Sequence, residues 1–472
     1  MDKKFDTYVD NLKYRVLKEV ARQAFEGSLL HDVLDIPKII HPSKIPTMRC
    51  CVYKERAILA KRVKLAMGGN KANKNIIEVI DIACEECPAA GYEVTMSCRG
   101  CLAHRCASAC MTGAISFDKA HVAHIDKSKC VECGKCASVC PFSAIVNRKR
   151  PCQNACKVKA ISINDENVAT IDEEKCNSCG ACIYQCPFGA IMDKSFMLDV
   201  INMMKVAKKE NGKLIALVAP SIAAQFSYAT LGQVISGLKR IGFTDVIEVA
   251  LGADVVAYDE SKELSEKGFL MSSCCPAFVK YVKTEYPELE QHISHNLSPM
   301  AVMGKIIKDK FPSAKVIFIG PCTAKKAEAQ LESVKPYVDS VLTFEELQAI
   351  FDSRDLDITF LGEEVLTQAS KYGRTFARSG GLTQAVEGAL KEQKISFDLK
   401  PVICNGILDC RTALIKKSRN ALKENFIEGM ACDGGCVGGA GCLSHLSKNA
   451  AKVDHYAQGG KQTFEQAIKE IE

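Results

Sequence analysis

Two stretches decide the reading of this chain: CVECGKCASVCP at residues 130–141 and CNSCGACIYQCP at residues 176–187. Each is a C-x2-C-x2-C-x3-C-P run. That spacing puts three thiolates on one tight loop and sends the fourth to a neighbouring iron–sulfur cluster. The small residues between the cysteines let backbone amides point at the sulfurs and offset the cluster charge. A zinc site competes for any C-x2-C pair, but the fourth cysteine followed by proline favours 4Fe-4S clusters. The two runs belong to an internal repeat. A shift of 46 residues superposes Cys106, Cys110, Cys130, Cys133, Cys136 and Cys140 on Cys152, Cys156, Cys176, Cys179, Cys182 and Cys186. The intervening residues follow, with Ala114-Ile115-Ser116 falling on Ala160-Ile161-Ser162 and Pro141-Phe142 on Pro187-Phe188.

Working outward, Cys98, Cys101, Cys106 and Cys110 form a C-x2-C-x4-C-x3-C run that resembles the variant half-motif of multi-cluster ferredoxins. The expected pairing in the first repeat joins Cys98, Cys101 and Cys106 to Cys140, and Cys130, Cys133 and Cys136 to Cys110. The second repeat has no C-x2-C just before Cys152. One unused pair remains, Cys84 and Cys87, which completes a site with Cys152 and Cys186. Cys176, Cys179 and Cys182 then close with Cys156. Sixteen cysteines between 84 and 186 supply four accessory 4Fe-4S clusters.

The remaining composition sets bounds. With 472 residues the chain exceeds one compact core, so two or three domains are expected. Its 62 basic and 56 acidic residues leave a net charge of +6, with no Lys/Arg block interleaved with aromatics, so a nucleic-acid partner is not expected. A mildly positive surface can still steer an acidic protein partner. The start of the chain has no apolar h-region, and the most apolar stretch, 214–224, is short and interrupted by Pro220 and Ser221. The expectation is a cytoplasmic protein with no membrane contact, in which so dense a set of cysteines, 26 in all, points to metal rather than disulfides.

Four segments are expected: a helical N-terminal domain over 1–80, a ferredoxin-like domain over 81–192, an α/β domain over 193–447 and a C-terminal helical tail over 448–472. The first shows helical spacing at Leu12, Val16, Val20 and Phe25, and no chemistry is assigned to it. In the third, strands are expected at Leu214–Val218, Asp245–Val249, Phe269–Ser272, Val316–Ile319 and Ser340–Thr343. Helices over Leu231–Ile241 and Asp259–Lys267 lie between them. The tail reads as polar and superficial.

Three further cysteine motifs each follow an expected strand: SSCCPAF at 272–278, GPCTAKKAE at 320–328 and EGMACDGGC at 428–436. Alone, each reads as buried thiols in a turn. Together they offer four metal ligands and one spare thiol. A row of clusters without a nicotinamide or flavin motif implies one-electron transport to something held in this domain.

These three motifs, in this order, resemble the signatures of the FeFe-hydrogenases, roughly TSCCPxW, MPCxxKxxE and ExMxCxxGC, and the resemblance covers residues 84–445. It implies a fold of class α/β (α+β multidomain), with ferredoxin-like iron–sulfur domains ahead of a two-lobed α/β catalytic domain. It implies an active-site cluster made of a 4Fe-4S cubane joined through one cysteine sulfur to a two-iron unit carrying CO, cyanide and a dithiolate amine. Carried over by position, Cys275, Cys322, Cys432 and Cys436 would ligate the cubane, with Cys436 bridging. Cys274 would be the proton-shuttling thiol. Lys325 would hydrogen-bond one cyanide, and Ser221, within Ala219-Pro220-Ser221, the other. The family's proton relay falls on Glu260, Ser294 and Glu263; the two glutamates, three residues apart, share one helix face, where a solvated surface is the competing reading. The implied activity is that of a ferredoxin hydrogenase, interconverting protons and electrons with dihydrogen. Its implied partners are ferredoxin or a similar small carrier and the maturation proteins that build the two-iron unit.

The chain also departs from the family pattern. Gly320 stands where well-known members have Met, Phe278 where they have Trp, and Ala440-Gly441-Cys442 replaces a third glycine and the segment after it. These differences bear on the packing around the substrate, not on the ligands. Cys50, Cys51, Cys404, Cys410 and Cys442 match no ligand position and read as structural thiols. Three alternatives compete: a non-catalytic Narf-like iron–sulfur assembly protein, a hydrogen-sensing relative, and a plain multi-cluster ferredoxin. The first should lack Cys274 and the Lys325–Glu328 context, the second should carry a signalling module, and the third leaves the 274–436 cysteines unexplained.

Overall fold

The computed structural model describes residues 5–471. The first long helix, Tyr8–Glu26, opens at Thr7, which accepts the Asp10 N–H while the Asp10 carboxylate accepts the Thr7 N–H. It closes at Gly27 in the left-handed conformation, φ 83°. Leu12, Val16, Leu17 and Val20 form its buried stripe, laid against the helix Phe344–Ser353 far along the chain. A second helix, Val52–Ala66, packs beside it.

The 46-residue repeat is reproduced in the backbone. Left-handed residues recur in register: Glu132 and Ser178 at φ 53°, His121 and Asn167 at 61° and 62°, Gly134 and Gly180 at 76° and 79°. Each repeat carries a short antiparallel hairpin, Ile115–Phe117 on Ala123–Ile125 and Ile161–Ile163 on Ala169–Ile171. Each is closed by an outer pair, Gly91–Val94 on Ile145–Arg148 and Ile77–Val79 on Ile191–Asp193.

The rest is mixed α/β. A four-stranded parallel sheet runs in the order Asp245–Glu248, Leu214–Val218, Lys315–Gly320, Ser340–Thr343. A three-stranded parallel sheet runs Leu270–Met271, Phe426–Met430, Pro401–Asn405. Central strands such as LIALV at 214–218 are buried on both faces, the mark of parallel sheets covered by helices. Ligand-binding residues in such sheets lie beyond the carboxyl ends of strands, and the three motifs at 272–278, 320–328 and 428–436 do so here.

Three expectations need correction. The strand Pro401–Asn405 went unread. The helix expected from Asp259 begins at Val249, because its first turns are buried all round and show no amphipathic contrast. The tail is not superficial: Val453, Phe464 and Ala467 are buried, and the Tyr456 hydroxyl donates to Glu248 at 2.6 Å. Its few apolar residues, spaced at helical intervals, dock it despite a polar composition.

Candidate functional site

The carboxyl ends of the two parallel sheets face one apolar cavity of about 90 Å³, lined by residues of all three signature motifs. Cys275 caps the helix Pro276–Glu285, with Pro276 at its first position, and Cys322 caps the helix Thr323–Glu328. Cys432 and Cys436 follow the strand Phe426–Met430. All four sulfurs border the cavity. Burial, then the neighbouring thiolates, pushes Cys322 up to about 12 and Cys436 up to about 11, and holds Cys432 well above the ordinary thiol value. Among the described residues no three of these donors stand close enough to share a single metal ion, so four soft thiols around one cavity suit a cluster, whose charge would stabilise the thiolates.

Two further groups meet an anionic guest. Ser221 Oγ is buried and has no partner among the described residues. Lys325 Nζ lies beside the Cys274 carbonyl at 3.3 Å and pairs with Glu328 Oε2 at 2.6 Å. Burial would lower the Lys325 pKa, but the Glu328 carboxylate outweighs it and keeps the ammonium charged. The donor set therefore fits a metal cluster with anionic ligands: four sulfurs, one orphaned hydroxyl and one buried cation.

Cys274 borders the same cavity but stands apart from the quartet. Burial holds its thiol well above the ordinary value, and the Glu260 charge adds to this. Glu260 is fully buried, raised by burial to about 7, and accepts from the Ser273 N–H and Oγ at 3.3 Å; the Ser294 hydroxyl also acts on it, though its Oε2 has no partner at hydrogen-bond geometry among the described residues. Ser294 bonds onward, donating to Glu263 Oε2 at 2.9 Å. Burial would raise Glu263, but bonds from Lys267, Ser294 and the His295 backbone outweigh it and hold this carboxylate low. His295 is exposed beside it, so the line Cys274, Glu260, Ser294, Glu263 ends at solvent.

The accessory cysteines gather in groups. Cys84, Cys87, Cys152 and Cys186 line one small cavity, and Cys110, Cys130, Cys133 and Cys136 line another. Cys106 lies within the influence of Cys101 and Cys140, and Cys182 within that of Cys179, Cys176 and Cys156. The fourth cysteine of each run accepts the amide four residues on, from Ala114, Ala144, Ala160 and Ala190, at 3.2 to 3.4 Å. The second repeat abuts the cavity. Thr323 Oγ1 donates to the Ser178 carbonyl at 2.6 Å, and Cys179 acts on the Cys432 thiol. Gly180, left-handed at φ 79°, keeps this junction tight: a β-carbon there would fall 2.3 Å from that of Ala440.

Of the unassigned thiols, Cys404 and Cys410 are buried against each other behind Cys275. Cys442 donates to the Val437 carbonyl at 3.4 Å, Cys50 is exposed, and Cys51 caps the helix Val52–Ala66. The departure at Gly320 has a steric cause, since the Phe318 ring occupies the space beside it, 2.6 Å from where a β-carbon would stand. Sequence reading missed Phe318 in the cavity wall and the buried arginines Arg62 and Arg150. For Arg150 a signal existed: it faces His104 across the 46-residue shift, so the repeats differ there in charge.

Comparison with known proteins agrees with this geometry. Residues 212–440 match the iron only hydrogenase large subunit, C-terminal domain; residues 97–144 match a 4Fe-4S dicluster domain and 169–192 a 4Fe-4S binding domain. The chain is 26% identical to iron hydrogenase 1 of Clostridium pasteurianum, over 56% of this chain and 55% of that protein, so it spans about half of that relative's length. It is 23% identical to the human nuclear prelamin A recognition factor, over 51% of this chain and 67% of that protein. To the periplasmic iron hydrogenase large subunit of Nitratidesulfovibrio vulgaris it is 30% identical, over 69% of this chain and 87% of that subunit. That extent of likeness, together with 4Fe-4S domains preceding the large-subunit domain, makes this chain a member of the iron-only hydrogenase family.

Proposed function

We propose that the chain is a working FeFe-hydrogenase that interconverts two protons and two electrons with dihydrogen, exchanging electrons with ferredoxin or a similar carrier. On this reading Cys275, Cys322, Cys432 and Cys436 hold the cubane, with Cys436 bridging to the two-iron unit. Lys325 and Ser221 donate to the cyanide ligands. When bound, the cluster supplies the redox chemistry of dihydrogen. The accessory quartets hold four 4Fe-4S clusters and carry single electrons, and the protein works in the reducing cytoplasm.

The observation that carries the reading is a protonated thiol at the cavity with its own path to water. Cys274 is not needed to complete the cysteine quartet, and it adjoins Glu260, whose pKa near 7 suits both holding and releasing a proton at neutral pH. Protons would pass between Cys274 Sγ and Glu260, then through Ser294 Oγ to Glu263 and solvent. An assembly protein has no use for such a line. Similarity to the nuclear prelamin A recognition factor keeps that second reading in view.

Infrared spectroscopy of protein produced with the maturation proteins separates the two. The catalytic reading expects CO and cyanide stretching bands and dihydrogen turnover with reduced ferredoxin or a viologen; absence of the bands defeats it. Cys274→Ser should keep the bands and lose most turnover. Unchanged turnover removes Cys274 from the mechanism.

A further inference from the structure

We propose that the site formed by Cys84, Cys87, Cys152 and Cys186 is the highest-potential station on the electron path, poised there by two buried guanidiniums, Arg150 and Arg62. This rests on the reading that the quartet holds a 4Fe-4S cluster.

Three arginines are among the largest fully buried side chains of the chain: Arg62, Arg150 and Arg374. Arg374 is neutralised in the ordinary way, meeting both oxygens of Glu248 at 2.7 and 2.8 Å. The other two have no carboxylate in ion-pair contact among the described residues. Arg150 donates to Cys84 Sγ at 3.6 Å, to the Cys87 carbonyl at 3.1 Å and to the Asn167 carbonyl at 2.8 Å. Arg62 reaches the Gly189 carbonyl, and the thiolate of Cys186 acts on its charge. Asp10 also acts on Arg62, but less than Cys186 does and without an ion pair. The Nε of both arginines lacks a partner among the described residues.

A guanidinium buried without a counter-charge is costly, and here the missing negative charge is supplied if the four cysteines carry an anionic cluster. Reduction adds one more negative charge to that cluster. Two fixed cations beside it, shielded from water and salt, stabilise the reduced form over the oxidised one and raise the potential. The nearby cations do not add to this effect. Arg49 packs over the Phe188 ring but pairs with Glu86, and Lys54 pairs with Glu85 and Glu86.

The other quartets lack this arrangement. Across the 46-residue shift the counterpart of Arg150 is His104, which stacks on Phe117 at 3.8 Å. Lys135, beside the quartet of Cys110, is exposed and meets Met111 sulfur. Lys280, which acts on Cys176, is exposed. Arg62 comes from the N-terminal helix Val52–Ala66, so that helical segment acts on the electron path. The site neighbours the quartet nearest the cavity, since Cys152 acts on Cys182. A one-electron donor reduces this station first, and the stored electron is then available when a second arrives for two-electron chemistry.

The test is a redox titration of the full chain followed by electron paramagnetic resonance, on protein made without maturation proteins so that hydrogen chemistry plays no part. The first signal to appear on lowering the potential should move to lower potential in Arg150→Gln and in Arg62→Gln. It should stay near its original position in Arg150→Lys, and the other signals should not move. A leading signal that holds its potential in both glutamine variants, at full iron content, overturns the proposal. Should Arg150→Gln lose iron, Arg62→Gln decides alone. Cys152→Ala fixes the assignment: it should remove the leading signal and about four irons. Loss of a different signal overturns the proposal, whereas unchanged iron content shows instead that the quartet holds no cluster.

Discussion

Glu260 lies between Cys274 and Ser294 with no exposure and one oxygen unpartnered. In sequence it was indistinguishable from a solvated helix residue; only its place in a family motif marked it. Burial made it titratable near neutrality, and burial is a tertiary property that no local pattern records. Glu260→Gln should lower turnover by about 100-fold or more, the usual worth of a positioned acid–base group, while the infrared bands remain. A stability effect follows from the same shift. A carboxyl raised from 4.5 to about 7 weakens the fold as pH rises through that interval, by on the order of 3 kcal/mol. The Gln variant should therefore lose less stability than the parent between pH 5 and pH 8 in denaturant titrations; equal losses would dissociate Glu260 from the effect. The cysteines contrast with it, since the spacing of the two C-x2-C-x2-C-x3-C-P runs already marked their residues as cluster ligands.

At the scale of elements, the strand Lys315–Gly320 and the helix Thr323–Glu328 show what was legible and what was not. The apolar run at 316–319 predicted the strand, and the motif that follows it announced a site at its carboxyl end. The strand Pro401–Asn405 escaped because its own faces are half exposed and its apolar run is short. The Gly320 departure became intelligible only in three dimensions, where Phe318 supplies the bulk that a methionine would bring. Gly320→Met should thus overpack this strand end, costing about 1–3 kcal/mol and lowering the thermal unfolding midpoint. An unchanged midpoint would mean that the Phe318 ring moves aside freely. Within the next helix, adjacent lysines serve opposite sides: Lys325 meets the cavity, while Lys326 turns to Asp193 and Glu346 at 2.7 Å.

That second lysine belongs to a feature of the whole molecule. Lys13, Asp193, Lys326, Glu345 and Glu346 form one buried charge network joining the first helix, the last strand of the second repeat and the α/β part. It was invisible in the sequence because bonded members such as Lys13 and Glu345 are separated by 332 residues, and each alone reads as a surface charge. The network holds three carboxylates against two ammoniums. Glu345 is accordingly pushed up by burial to about 7, whereas the two lysines outweigh burial at Asp193 and hold it low. A lowered carboxyl contributes stability that is present above its ordinary value of 3.8 and is lost as pH falls through it. Asp193→Asn leaves Lys13 with Glu345 and Lys326 with Glu346, so it should destabilise the protein by about 1.5–3 kcal/mol at neutral pH, the worth of hydrogen bonds to a charged group, and should flatten the acid limb of its stability profile. An acid limb unchanged from the parent would place the lability elsewhere.

The repeat also bears on how such a chain can change over generations. One copy occupies 46 residues and returns the backbone to the same left-handed angles at the same places. A partial copy would leave sulfurs without their partners, because each repeat exchanges its fourth cysteines between two quartets. On the proposed reading, reach along the electron path changes by whole units, the second of which also draws on Cys84 and Cys87 from outside it. Point substitution is left to tune each copy separately, as the exchange of histidine for arginine between the two repeats illustrates.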